Sequence, residues 1–280
     1  MDRKIPIPVL HLFPVLDELL IDLLRSLSAD DWNKPTLARQ WSVKDIAAHL
    51  LDVSMRAISS KEGYTPPLSS PVINGYQDLV TYLNELNAVW VYAMKRVSPS
   101  QIIKMLEDAG KPYNEYLSSI DPFGPAKYSV AWAGEDESTN WFHIAREYTE
   151  KWHHQQQIRN AIGKTAPLMT KELFYPCIDI FMRGLPHAFR NVAADNGYCV
   201  QITISGEAGG NWYLSKTVNG WALDKTSPNN APVASVVIPP DVAWKVFTKG
   251  ISSTIAIDGS TISGDVELGE KVFSLIAVMA

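Results

Sequence analysis

Cysteine is scarce in this sequence: two residues, Cys177 and Cys199, in 280. So few thiols build neither a disulfide framework nor a cysteine-rich zinc site, and a reducing compartment, the cytoplasm, is the expected location. Positive charge is not in excess either. Lys plus Arg number 25 against 30 Asp plus Glu, a net charge of −5, and no basic surface of the kind that coats nucleic acid is expected. No uncharged apolar run approaches the roughly 18 residues that suggest a membrane span. Near the N-terminus, Pro6, Pro8, Pro14, Asp17 and Glu18 interrupt any signal-peptide core. Neither a nucleic acid nor a membrane is expected as a partner. The H-E-x-x-H and G-x-S-x-G signatures are missing, and neither cysteine has a histidine beside it.

What is present suits a globular protein with a sizeable core: 46% hydrophobic and 20% charged residues, with a mean hydropathy of −0.06. At roughly 150 residues per domain, the length suggests about two domains. Apolar residues recur at helical spacing in six segments, near residues 12–27, 43–60, 75–96, 99–119, 139–162 and 171–193. Ser42, three residues before Asp45, opens the second like a capping box. Ser98 and Pro99 open the fourth as a cap followed by a first-turn proline. Residues 121–138 form a loop long enough to suggest a functional role. The texture changes near Asp195, where CVQITIS, WYLSK, WALDK, ASVVIP and STIAID read as short strands between turn-rich stretches. Two helices are expected among them, near 240–249 and 265–278. The expected architecture is a helical domain over 1–194 and a small α+β domain over 195–280.

Three of the six histidines crowd the fifth helical segment, NWFHIAREYTEKWHHQQQIRNAIG. Its apolar stripe is Trp141, Ala145, Tyr148, Trp152 and Ile162; a polar stripe runs through His143, Glu147, Glu150, His154 and Gln157. A polar stripe is ordinarily a solvated face. Glu150 and His154, however, are four residues apart and can aim at one point, as metal ligands do. One helix rarely supplies enough ligands, and His49, at the core edge of the second helix, is the candidate third. Alone it reads as a satisfied structural histidine; with the pair it makes a His/Glu/His set that leaves coordination positions open, as in catalytic rather than structural zinc. The same set could hold Fe(II). A di-iron bundle would need a second Glu-x-x-His pair beside Glu150 and His153, and the chain has none.

Other residues carry weaker readings. Asp45 and Asp52, on either side of His49, could orient its ring or serve as capping and surface charges. Glu147 could be a further ligand or base, but pairing with Lys151 is the plainer expectation. His153 reads as peripheral and His143 has no assigned role. Arg159 could bind an anion or be an exposed helix charge, and Trp132 and Trp141 could wall a pocket or belong to the core.

The pairing of QWSVKDIAAHLLDV with REYTEKWHHQQQIR resembles the N-terminal domain of the mycothiol-dependent maleylpyruvate isomerase family, within the DinB-like superfamily. The resemblance implies a DinB-like metal-binding four-helix bundle with additional helices, and a thiol-dependent transferase or isomerase activity. Carried over residue by residue, the family's first histidine falls on His49, and its E-x-x-x-H element on Glu150 and His154. Further on, GGNWYLSK, AWKVFTKG and SGDVELGEKVFSLIAVMA resemble the family's C-terminal domain, which is similar to a sterol-carrier-protein fold. Two departures stand out. Gln157 occupies a position where the family commonly has Asp, and no arginine follows Arg190, only lysines 216, 225, 245, 249 and 271. Lysine lacks the bidentate fork of arginine, so a diacid substrate is not supported.

Taken together, these readings predict a divalent-metal-dependent enzyme, a thiol S-transferase or isomerase acting on a small electrophile. His49, Glu150 and His154 are its expected metal ligands and catalytic residues. Zinc is the first choice of metal, nickel or iron the alternatives, and a low-molecular-weight thiol is the expected co-substrate. Three other functions fit the same sequence: a metal-dependent hydrolase, a non-catalytic module binding a metal and an apolar ligand, and an interaction protein that forms a homodimer through its bundle face.

Overall fold

A computed structural model of the chain describes residues 3–64 and 71–278. They fall into two compact units, one holding residues 3–127 and Thr139–Pro167, the other Tyr128–Ser138 and Leu168–Val278.

In the first unit, α1 (Phe13–Arg25), α2 (Val43–Lys61), α4 (Pro99–Ser119) and α5 (Asn140–Ala161) form a four-helix bundle in which α1 and α2 each pack on both α4 and α5. A further helix, α3 (Tyr76–Met94), lies against α2, where Trp90 Nε1 donates to the Ala48 carbonyl at 2.8 Å. Local chemistry explains why these helices start where they do. The capping box at α2 is complete: Ser42 Oγ accepts from the Asp45 amide, and the Asp45 carboxylate accepts from the Ser42 amide at 3.0 Å. In α1 the buried Phe13, Leu16, Leu20, Leu23 and Leu24 recur at three- and four-residue spacing, giving a single apolar stripe.

The polar stripe of α5 is not a solvated face. Every residue from Lys151 to Arg159 is buried, because α5 packs on both α1 and α2. Lys151 forms an ion pair with Asp17 of α1, not with Glu147. Arg159 is not exposed: its guanidinium donates to the Leu19 carbonyl at 2.9 Å and the Lys164 carbonyl at 3.3 Å, tying the end of α5 to α1.

The second unit is built on a five-stranded sheet in the order β3-β2-β1-β4-β5. Its strands are β1 (Cys199–Ile204), β2 (Gly210–Thr217), β3 (Gly220–Asp224), β4 (Ala234–Ile238) and β5 (Thr261–Gly264). β1 and β4 run parallel and the other neighbours antiparallel, with Ile202 opposite both Trp212 and Val236. Buried Val200, Ile202 and Ile204 alternate with half-buried neighbours, so the period of two places one face on a core. Around the sheet lie α6 (Lys171–Met182), α7 (Leu185–Ala188), α8 (Pro240–Phe247), α9 (Ser253–Asp258) and α10 (Val266–Glu270).

Four features of this unit differ from the sequence reading. The units divide at Pro167–Leu168, not near 194, because α6 and α7 pack on the sheet: Tyr175 stacks on Trp212 with ring centroids 5.7 Å apart, and Phe189 meets Trp221 edge-on at 5.1 Å. The helix expected over 171–193 breaks at Arg183–Gly184, before Leu185 and Pro186 start a new turn. STIAID is helix α9 rather than a strand, since Ser252 caps it by accepting from the Ile255 amide; the edge strand β5 follows it. The helix expected over 265–278 is α10 plus a single tight turn at Lys271–Ser274. Among the described residues, no helix is long and apolar enough to cross a membrane.

Candidate metal centre

Packing α2 against α5 brings three of the residues singled out from the sequence to one point. His49 comes from α2; Glu150 and His154, one turn apart, come from α5. Each offers a ligand atom, and these atoms all lie within 4.8 Å of one another. His154 Nε2 is 3.4 Å from Glu150 Oε2, and the His49 and His154 rings meet edge to face at 4.7 Å. The two histidines are buried and Glu150 is half-buried. Trp41, unanticipated from the sequence, lies against both imidazoles, with ring centroids 4.8 Å from His49 and 6.0 Å from His154. Its place is set by the turn before α2, where Thr36 Oγ1 donates to the Trp41 carbonyl at 2.8 Å.

The protonation states suit a cation. Gln157 Oε1 lies 3.0 Å from His154 Nδ1. An amide oxygen only accepts, so Nδ1 donates to it, and Nε2 is the ring nitrogen that faces Glu150. His49 Nδ1 is buried without a hydrogen-bond partner. Burial, reinforced by His154, pushes the His49 pKa well below the usual imidazole range, so His49 is a neutral ligand at pH 7. Burial raises the Glu150 carboxyl, but His153, His154 and His49 outweigh it and hold its pKa at about 2. Two imidazoles and one carboxylate are a donor set for a divalent ion such as zinc, with positions left for other ligands.

The surrounding residues take other roles than the sequence suggested. Asp45 is spent on the α2 cap, and Asp52 pairs with Arg56 at 3.1 Å, so neither orients His49. His153 is buried, not peripheral: its ring lies 4.0 Å from that of His154, and Nδ1 donates to the Thr149 carbonyl at 2.9 Å. Glu147 accepts from Arg146 at 2.9 Å and from the Tyr113 hydroxyl at 3.1 Å, while His143 Nδ1 bonds Arg146 at 2.8 Å. That group lies earlier on α5, beside the triad but outside it. Trp132 packs inside the second unit, close to Gly184, and Trp141 stacks on Phe142. The place of Gln157 three residues after His154 was visible in the sequence; its part in holding the ring was not.

Gln157→Ala is expected to weaken metal binding about 10- to 100-fold, since partners that orient a ligand histidine contribute that much. Competition with a chromogenic chelator checks this, and an unchanged affinity would show that the His154 ring is held by other contacts.

No match was found among curated proteins. The chain is similar to a solved structure described as the mycothiol-dependent maleylpyruvate isomerase, with a TM-score of 0.54, 12% identity and 92% of each chain covered. A histidine-to-alanine mutant structure of a protein so described gives a TM-score of 0.50 at 13% identity, over the same shares of the two chains. At such identities the likeness is one of fold. The model of the mycothiol maleylpyruvate isomerase N-terminal domain matches residues 14–159, just over half of the chain and the stretch that holds His49, Glu150 and His154; the chain belongs to that family.

Proposed function

We propose that the chain is a divalent-metal-dependent enzyme that uses a low-molecular-weight thiol to isomerise, or to transfer to, a small electrophilic substrate. Its metal ligands and catalytic residues are His49, Glu150 and His154. Zinc is the favoured metal, with nickel and iron as alternatives. The observation that carries this reading is the convergence of three donor atoms from two helices within 4.8 Å. Family membership and the fold shared with a mycothiol-dependent maleylpyruvate isomerase support a thiol as co-substrate and isomerisation as the reaction.

His49, Glu150 and His154 would hold a divalent cation whose charge would favour the thiolate form of a thiol at neutral pH. The residues of the chain prepare for it. His49 stays neutral because it is buried, and Glu150 is ionised throughout the physiological range. Gln157 keeps a hydrogen on His154 Nδ1 and its Nε2 available. Trp41 covers one side of the imidazole pair with an apolar wall. The second unit is proposed to be a sterol-carrier-like domain, a reading supported by its five-stranded sheet with flanking helices. A cytoplasmic location is supported by the scarcity of cysteine, two residues in 280.

Metal analysis of protein purified without a histidine tag tests the site. About one equivalent per chain is expected, and it should be lost in His49→Ala and in Glu150→Gln; full occupancy in both variants refutes the ligand assignment. Assays of candidate electrophiles with mycothiol, bacillithiol, glutathione and coenzyme A test the reaction, and a turnover that needs no thiol removes the transferase and isomerase reading.

A further inference from the structure

The helix α3 leaves large apolar side chains uncovered. Its principal neighbour is α2, where Trp90 anchors it. On the other side Asp78, Thr81, Glu85, Ala88 and Tyr92 recur at three- and four-residue intervals, and Arg96 continues the row one turn beyond; all are exposed. Such spacing makes one stripe along the helix. The apolar part of the stripe is open, with Val89 71% and Tyr92 75% exposed. Its two ends carry opposite charges, Asp78 and Glu85 on the earlier turns, Lys95 and Arg96 at the close. Among the described residues none of these four belongs to an ion pair. Acid first and base last also suits the helix macrodipole. The dipole does not account for an uncovered valine and tyrosine.

The stripe is complementary to an antiparallel copy of itself. When two such helices cross with Ala88 of one opposite Val89 of the other, Glu85 stands opposite Tyr92, and Thr81 opposite Arg96, of the second copy. Arg96 of the second copy then lies between Asp78 and Glu85, about one turn from each. Two-fold symmetry repeats every such pairing. Alanine at the crossing also lets the two helix axes approach closely. We propose that α3 is a self-association surface, on which two copies of the chain pair antiparallel through this stripe. A homodimer then forms through α3 rather than through the face of the bundle. The inference goes beyond the function proposed above and does not depend on it. A single helix pair buries less than the roughly 800 Å² per partner of a standard interface, so the association is expected to be reversible.

Sedimentation velocity of the full chain, at concentrations from about 5 to about 500 µM, tests the proposal. A concentration-dependent shift from monomer to dimer is expected, and it should weaken at about 0.5 M salt, which screens the charged contacts. Val89→Glu puts an acid at the crossing and is expected to raise the dimer Kd at least about tenfold. Arg96→Glu, and the double variant Asp78→Arg with Glu85→Arg, each set like charges opposite one another and should weaken self-association by a similar factor. Mixed in equal amounts, those last two should recover a dimer, because each then offers the charge that the other lacks. The substituted side chains are all exposed, so the fold should be retained, as circular dichroism can verify. Wild type that stays monomeric at the highest concentration overturns the proposal and leaves the stripe to a different partner. A dimer whose Kd stays within twofold of wild type in Val89→Glu and Arg96→Glu overturns it as well. A dimer broken by the charge variants and not restored on mixing overturns the antiparallel pairing.

Discussion

Metal-stripped protein is expected to lose about 3 kcal/mol of stability or more between pH 7 and pH 4. One contribution comes from His153, which burial, with His154, holds at a pKa of about 4 against an ordinary 6.5. At 1.36 kcal/mol per unit, that gap amounts to about 3 kcal/mol. The sign follows from which state binds the proton first. Below pH 6.5 the unfolded chain protonates this imidazole while the folded chain does not, so the stability present above 6.5 drains away until the folded pKa is reached. His49, also depressed, acts in the same direction. Glu150 works in a lower window: its pKa falls from 4.5 to about 2 on folding, so its contribution is intact above 4.5 and is lost toward pH 2. Urea unfolding of chelator-treated protein at pH 7, 6, 5 and 4, followed by far-UV circular dichroism, measures the slope. His153→Gln should flatten it between pH 6.5 and 4, and a wild-type profile already flat over that range would contradict the burial of these imidazoles. Metal should steepen the profile, because protons and the cation compete for the same nitrogens.

The same helix shows how far the sequence could be read. Glu150 and His154 declare themselves by spacing alone, and His49 by its place at the edge of an apolar stripe; their convergence needed only that α2 and α5 be neighbours. Ends set by local chemistry were legible too. The Ser42–Asp45 cap and the proline start of α4 depend on residues a few positions apart. What the sequence concealed was set by distant partners. Lys151 looks solvated until Asp17, 134 residues earlier, supplies its counter-ion, and Arg159 looks exposed until the Leu19 carbonyl accepts a hydrogen bond from its guanidinium. The whole run from Lys151 to Arg159 is buried. Trp41 escaped notice because nothing in its neighbourhood places it against imidazoles eight and 113 residues away. STIAID failed for a different reason. Its β-branched residues favour a strand, but a serine cap and a six-residue length let tertiary context choose a helix.

The second large effect is expected in the sheet unit, where Trp212→Ala should cost about 3–5 kcal/mol, the range for truncating a large buried aromatic. Trp212 is fully buried on β2, its ring stacked on Tyr175 of α6. Its indole Nε1 donates to Asp179 Oδ1 at 2.9 Å, and Lys225 Nζ bonds the other carboxylate oxygen at 2.5 Å. Removing the indole therefore opens a void and takes a donor from a carboxylate that is itself 4% exposed. Trp212→Phe keeps most of the ring volume and isolates the second loss, expected at about 1–3 kcal/mol. In a double-mutant cycle with Asp179→Asn, the two changes should prove non-additive, because they share one hydrogen bond. Additivity would mean that the carboxylate and the indole do not meet. The argument extends to where the sheet unit begins. A chain starting at Asp195 would carry Trp212 without Asp179, Tyr175 or the buried Ile178, Phe181 and Phe189, so fragment 195–280 is expected to remain unfolded by circular dichroism and by amide chemical-shift dispersion. A cooperative unfolding transition in that fragment would show that the five strands need neither α6 nor α7 to form their core.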